Sequence, residues 1–317
     1  LDPPSPSATI GGLVATNGSG VLRHVYGTPR DLCLGTTVVL SDGSVIKCGG
    51  RVVKNVAGYD TTRLYVGSMG TLGVVVDASF RLHPVPDRTS VVIGVAGDWI
   101  AVGELASRMV AAPVEPRFVE LLDLADPQWG AEDTDEFAPA VVVGFGGSAE
   151  QVNYQTDYAR KTLASGGATD VRADDSDDEW RSRFAAARHD AAGQGKAVVR
   201  ITGIMTAVLP AMRAVSNLAD TRGMDVQWLC HYTSGVVYAT LSCPSPSSVA
   251  DLLGRVRREA AKLGSGAVIE SAPADVRRAV DVWGPPDAPL DLMRQLKRRL
   301  DPTSTLNRGR FIRGLDG

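Results

Sequence analysis

An α+β protein built in two parts follows from three features of the sequence. Glycine-rich loops surround a β-hairpin in the first 88 residues, a β-α-β-β-α-β order occurs twice across 89–272, and an amphipathic helix lies in the last stretch, 273–317. Residues 36–48 are two β-rich runs joined around Asp42-Gly43, a strong hairpin signal. Residues 74–83 alternate towards their end and predict a further strand, stopped by Pro84 and Pro86. The turn that contains these prolines is the first expected domain boundary.

Beyond it the pattern changes. Residues 90–97 predict a strand, 98–111 a helix, 116–122 and 139–146 strands, 148–165 a helix and 169–173 a weak strand. The order then repeats: strand 197–203, helix 207–219, strands 224–231 and 235–242, helix 247–263, strand 266–270. Such a duplication suggests a ferredoxin-like sheet with its helices on one face. Between the halves, the acidic run 174–179 is expected to be a solvated linker into a helix that carries Trp180 and His189. In the last part, apolar residues at 290, 292, 293, 296 and 300 keep helical spacing until Asp301-Pro302 stops them.

Composition narrows the function classes. The chain of 317 residues is 44% hydrophobic and 22% charged, with a net charge of −3. No global basic field points to nucleic acid. No apolar run reaches the roughly 18–20 residues that span a bilayer. Cys33, Cys48, Cys230 and Cys243 form no Cys-x-x-Cys and fit no zinc or iron–sulfur spacing, so reduced thiols in a cytoplasmic protein are expected. His24, His83, His189 and His231 are dispersed and are read as structural. No catalytic residue can be assigned from the sequence, and no metal ligands.

The chemistry lies in the loops. Residues 8–20 hold Gly11, Gly12, Gly18 and Gly20, with Thr9, Thr16, Asn17 and Ser19 as hydroxyl and amide groups. Successive backbone N–H groups in a glycine-rich turn hold phosphate oxygens without a side-chain charge. This composition suits a pyrophosphate or the polar edge of a flavin, although tight turns alone would also use glycine. Residues 49–73 form a second, longer glycine loop around Arg51, Lys54, Tyr59 and Asp60. There a cation could meet phosphate or a substrate carboxylate, although a solvated loop lysine is the simpler reading of Lys54, and Tyr59 and Asp60 are read as a packed aromatic and a turn cap. Neither loop is a P-loop or a Rossmann fingerprint.

Together these motifs resemble the vanillyl-alcohol-oxidase-type (PCMH-type) FAD-binding superfamily, and within it the FAD-binding subunits of bacterial glycolate oxidases. The residues that carry the resemblance are Asp2-Pro3, 8–16, 26–32, 49–60, 67–75, and the closing 296–310 with Asp301-Pro302 and Leu306-Asn307-Arg308-Gly309-Arg310. It implies a PCMH-type FAD-binding domain, N-terminally truncated, over 1–88, a ferredoxin-like cap over 89–272, and a segment over 273–317 that returns to the FAD domain. FAD is the implied cofactor. Pro3, Thr9, Gly12, Thr16, Asn17, Gly18 and Ser19 would line its pyrophosphate and flavin; Gly70, Gly73 and Val76 would approach the adenosine half by backbone; Asn307 would sit near the flavin ring.

The implied activity is oxidation of a small 2-hydroxy acid within a glycolate-oxidase-like complex. Its expected partners are a second flavoprotein subunit and an iron–sulfur subunit, with any attachment to the inner face of the membrane made through them. The alternatives are a non-catalytic assembly subunit that has lost FAD, and a free-standing flavin-dependent alcohol or sugar oxidase. Three departures stand out. The chain opens on Leu1 and runs directly into the first glycine loop, without the family's first pyrophosphate-binding subdomain: FAD affinity is expected to be weak or nil if the sequence is complete, and the missing part to supply that loop if it is a fragment. Arg308 replaces the usual proline, and no histidine pair with a neighbouring carboxylate is visible in the sequence.

Overall fold

The computed structural model describes the chain apart from residues 1, 4–6, 53–58, 126–128, 130–136, 176, 190–193, 243–244, 286–289 and 317, and apart from the side chains of 188–189. Lys54 and Cys243 therefore lie outside the described residues. The chain divides into two compact units. The first comprises Leu1–Gly20, Tyr26–Pro84 and Trp283–Gly317; the second comprises Val21–Val25 and Val85–Val282.

Unit 1 begins with α1 (Ile10–Thr16). The short α2 (Arg23–Tyr26) straddles the division between the units, and α3 (Pro29–Leu32) follows. The strands β1 (Cys33–Val39) and β2 (Val45–Gly49) form the expected hairpin. Asp42 Oδ1 closes its turn by accepting from Ser44 N (2.9 Å) and Ser44 Oγ (2.6 Å), and Gly43 takes φ +82°. After α4 (Thr62–Tyr65), β3 (Val74–Phe80) pairs antiparallel with β1, giving the order β2-β1-β3. Val38, Cys48, Tyr65 and Leu72 form the unit's core, with Leu300 of the closing helix packed against them.

Unit 2 runs β4 (Arg88–Val95), α5 (Trp99–Ala111), β5 (Phe118–Asp123), β6 (Pro139–Gly147), α6 (Ala149–Ser165), β7 (Asp170–Asp174) and α7 (Asp177–His189). It continues with β8 (Lys196–Thr202), α8 (Val208–Asp220), β9 (Val226–His231), β10 (Val236–Ser242), α9 (Pro246–Lys262), β11 (Gly266–Ser271) and α10 (Ala274–Ala279). The expected double β-α-β-β-α-β order is present. Its two halves join edge to edge through β5 and β9 into one sheet, β11-β8-β10-β9-β5-β6-β4-β7. Side chains alternate across a strand. Leu121, Cys230 and Val237 therefore share the face that packs on the helices, while Glu120, His231 and Val236 share the other. Helix starts follow local chemistry: Asp98 Oδ1 caps Ala101 N (2.8 Å), Ser148 and Gln151 form a capping box, and Ser245 precedes Pro246 at the first turn of α9.

Two expectations are corrected here. The acidic run is not a solvated linker: Asp174 ends β7, and Asp177 starts α7 almost fully buried, paired with Arg117. A carboxylate at a helix start is favoured by the helix dipole, and the guanidinium compensates its burial. In α11 (Leu290–Leu300), Leu292 is exposed and Lys297 is buried, the reverse of the hydropathy pattern. The oxygens gathered around Lys297 supply the reason.

Candidate functional site

The first glycine stretch is a helix rather than a loop. Thr9 Oγ1 accepts from Gly12 N at 3.1 Å and caps α1, so the chain turns helical despite two glycines in its first turn. At the other end Asn17 takes the left-handed conformation (φ 52°), with Asn17 N donating to Val14 O and Gly18 N to Leu13 O, the pattern of a Schellman cap. The last carbonyls of a helix lack partners within it. Here the second glycine loop satisfies them: Gly67 N donates to Val14 O (2.9 Å) and Met69 N to Ala15 O (2.7 Å).

The tail joins the same junction. Asn307 Nδ2 donates to Met69 O at 2.7 Å. A Cβ on Gly70, which has φ +67°, would come within 2.8 Å of that nitrogen. Three stretches far apart in sequence thus meet around Met69. Lys297 fastens them from beneath. Its ammonium donates to Asp301 Oδ2 (2.6 Å), Thr71 O (2.9 Å) and Leu306 O (3.0 Å), which uses all three of its protons. Asp316 Oδ1 stands 3.5 Å away. Burial raises the Asp301 carboxyl pKa, but the bonds from Lys297, Leu306 N and Thr305 N outweigh it and hold the group below its ordinary value.

The remaining candidate residues fall into two groups. Thr9, Gly12 and Thr16 are exposed along α1, and Pro3 is exposed beside Asp2, whose carbonyl accepts from Gly20 N (2.7 Å). Val76 is exposed at a bulge of β3 against β1. Asn17, Gly18 and Ser19 are more enclosed, and Asn17 Oδ1 accepts from Arg30 N (2.9 Å). Gly73 is closed by protein, since a Cβ there would lie 2.3 Å from Val38 Cγ1. Of the second loop's other residues, Tyr59 is 98% exposed rather than packed, with no enclosing neighbour among the described residues, while Asp60 Oδ1 accepts from Thr62 N (3.0 Å) as a turn cap.

Whether this surface fits a dinucleotide can be tested on its donors. An added Cβ at Gly11 would meet nothing within 4 Å, so open space borders the first turn of α1. The N–H groups of Ile10 and Gly11 and the Thr9 hydroxyl proton are the donors there, a set suited to phosphate oxygens. The residues fit the group at that turn. Elsewhere, absent side chains serve close protein packing: Gly12 accommodates Thr9, Gly20 Asp2, Gly70 Asn307 and Gly73 Val38.

Two polar clusters escaped the sequence reading. Lys297 and Asp301 lie at i, i+4 on one helix face, a spacing that could have revealed the pair. His231 and Glu120 lie 111 residues apart, and only the β5–β9 pairing brings His231 Nδ1 within 2.5 Å of Glu120 Oε2. Both are about 1% exposed, with the Tyr238 ring edge-on to the imidazole at 5.1 Å. A carboxylate on Nδ1 fixes the tautomer with Nε2 as the basic nitrogen, an arrangement able to hold a proton. Among the described residues no group of three or more His, Cys, Asp or Glu could hold a metal ion.

Comparison with known proteins places these features in a family. Residues 1–49 match the FAD binding domain model, and residues 85–269, more than half of the chain, match the model of the FAD linked oxidases, C-terminal domain. The chain belongs to the FAD-linked oxidases. It carries the family's PCMH-type architecture, an oxidoreductase fold whose cofactor is FAD. It is 27% identical to glycolate oxidase subunit GlcD of Bacillus subtilis (strain 168), over 98% of this chain and 70% of that protein. Similarity to glycolate oxidase subunit GlcE of Escherichia coli (strain K12) reaches 47% identity over 79 residues, which is 25% of this chain and 23% of that one. The solved structure of alkyldihydroxyacetonephosphate synthase shares the fold at TM-score 0.69 and 17% identity, with 98% of this chain covering 60% of that chain. Among the described residues no helix is long and apolar enough to cross a membrane.

Proposed function

We propose that this FAD-linked oxidase is the flavin-binding subunit of a glycolate-oxidase-like complex, oxidising a small 2-hydroxy acid and passing electrons to a second flavoprotein and an iron–sulfur subunit. The observation that carries the reading is the junction at Met69, where the 67–73 loop and the Asn307 loop are fastened to the C-terminal end of α1, whose first turn is open at Gly11. Its support from relatives is the likeness to two glycolate oxidase subunits. FAD, when bound, supplies the hydride-accepting chemistry. The chain's own residues bind and orient. Pro3, Thr9, Gly12, Thr16, Asn17, Gly18 and Ser19 would line the pyrophosphate and flavin; Gly70 and Val76 would offer backbone to the adenosine half, with Gly73 packed on Val38 behind them; Asn307 would sit near the ring.

The test is direct. Protein incubated with FAD and freed of excess ligand should retain flavin absorbance bands in the visible. With partner subunits added it should reduce a dye in the presence of glycolate or D-lactate. A folded, colourless preparation that ignores FAD would refute the reading. One observation favours a non-catalytic assembly subunit instead: Gly12, Gly20, Gly70 and Gly73 are all closed by protein atoms. Turnover of the complex that is unchanged when this chain lacks flavin would select that alternative.

A further inference from the structure

Unit 1 holds a cleft of about 640 Å³, in which the flavin reading gives no role to Arg30, Arg63 or the α11 and tail side chains. That volume is within the range of small-molecule sites, about 300–1,000 Å³. Met293 and Leu296 of α11, with Phe311 and Leu315 of the tail, supply apolar surface, all half-buried or buried. Arg30 and Arg63 line the same cleft and are exposed. The polar groups of Thr71 are spent internally: Thr71 Oγ1 donates to Ser68 O (2.7 Å), and Thr71 O takes the Lys297 ammonium. The interior therefore offers contact and few hydrogen bonds.

The two guanidiniums are different. Arg30 Nη1 donates to Arg63 O at 3.0 Å, which pins the side chain while its other N–H groups remain to serve a ligand. The Arg63 Nε stands 4.0 Å from Asp60 Oδ2, with both side chains more than half exposed. Such a pair contributes little in water and is readily exchanged. Asp31, the other nearby carboxylate, accepts from Thr28 N and Thr28 Oγ1, both at 2.8 Å, and its charge also faces both guanidiniums, which help to lower its pKa but leave their N–H groups undonated to it. Two cations with spare donors beside an apolar cleft match one ligand class. A neutral polar molecule would lose hydrogen bonds in the interior, and a purely apolar one would leave the guanidiniums unused.

We propose that this cleft binds a small amphipathic anion, a carboxylate or phosphate monoester on a hydrocarbon or aryl body. The head lies at Arg30 and Arg63, where planar guanidiniums grip such groups bidentately. The body lies against Met293, Leu296, Phe311 and Leu315. The cleft shares Gly67, Ser68, Thr71 and Leu72 with the loop of the flavin reading but no residue of the first turn of α1, so competition with FAD separates the two.

Calorimetric titration of the full chain with octanoate and octyl phosphate, against octanol, tests it. One anion per chain should bind at least about tenfold more tightly than octanol, the scale of a charge-assisted hydrogen bond. Comparing the two anions tells which head group is preferred. Arg63→Gln should lower anion affinity about tenfold and leave octanol unchanged, while Met293→Trp, with its melting temperature checked against the parent, should fill the cleft and abolish both. Octanol binding as tightly as the anions, or an indifferent Arg63→Gln, would overturn the proposal. Displacement of the anion by added FAD would also overturn it, by assigning the cleft to the dinucleotide. Anion binding that persists in the presence of FAD, or in a chain that fails to take up FAD, supports it; only the latter removes the flavin reading.

Discussion

Lys297→Met isolates the buried clamp, because methionine keeps most of the aliphatic stem and deletes only the ammonium. The substitution strands the Asp301 carboxylate, which is fully buried, beside Asp316, and leaves the carbonyls of Thr71 and Leu306 without their donor. Breaking a buried pair by removing one partner costs about 3–5 kcal/mol. We therefore expect a loss of about 4 kcal/mol, roughly a thousandfold in the unfolding equilibrium of unit 1. The pH dependence gives the sharper signature. Asp301 has a lowered folded-state pKa, so it adds stability above its unfolded pKa, and that stability disappears as pH falls through the folded value. Without Lys297 the carboxyl protonates more readily, so the deficit against the parent should be greatest near neutrality and shrink below about pH 4. Urea unfolding followed through Trp283, with hydrogen exchange of the Thr305 and Leu306 amides that bond Asp301, measures both effects. A loss under about 1 kcal/mol, or a deficit that does not change with pH, would refute the clamp.

Further predictions address the candidate site and the second unit. Gly11→Ala should leave melting unchanged or slightly raised, since nothing lies within 4 Å of the new methyl, yet it should weaken FAD retention; unaltered retention would remove α1's first turn from the site. Gly73→Ala should cost about 1–3 kcal/mol by overpacking Val38, read as a lowered melting temperature. Thr9→Val should lose about 1 kcal/mol through the missing cap of α1, measured by denaturant titration. Burial pushes the Cys230 thiol well above its usual pKa, and the Glu120 charge adds to this, so a thiol reagent at pH 8 should modify Cys230 only after unfolding.

The sequence by itself determined what depends on near neighbours. Asp42-Gly43 closes the β1–β2 hairpin locally, and period and caps place α5, α6 and α9 because Asp98, Ser148 and Ser245 bond to amides three residues on. The FAD-family motifs were legible because each is a short contiguous run, although the residues that its glycines accommodate, Asn307 at Gly70 and Val38 at Gly73, lie elsewhere in the chain. Local signals misled where a distant partner decided. Residues 8–20 read as a loop because glycine is a poor helix former, yet the Thr9 cap and the donors of Gly67 and Met69 make a helix. Leu292 and Lys297 exchanged their expected environments because Thr71 O and Leu306 O arrive from other parts of the chain to meet the ammonium. Only tertiary pairing of β5 with β9 could set His231 against Glu120. A periodic pattern reports how one segment divides between water and core; it carries no record of which remote oxygen will be present to compensate a charge.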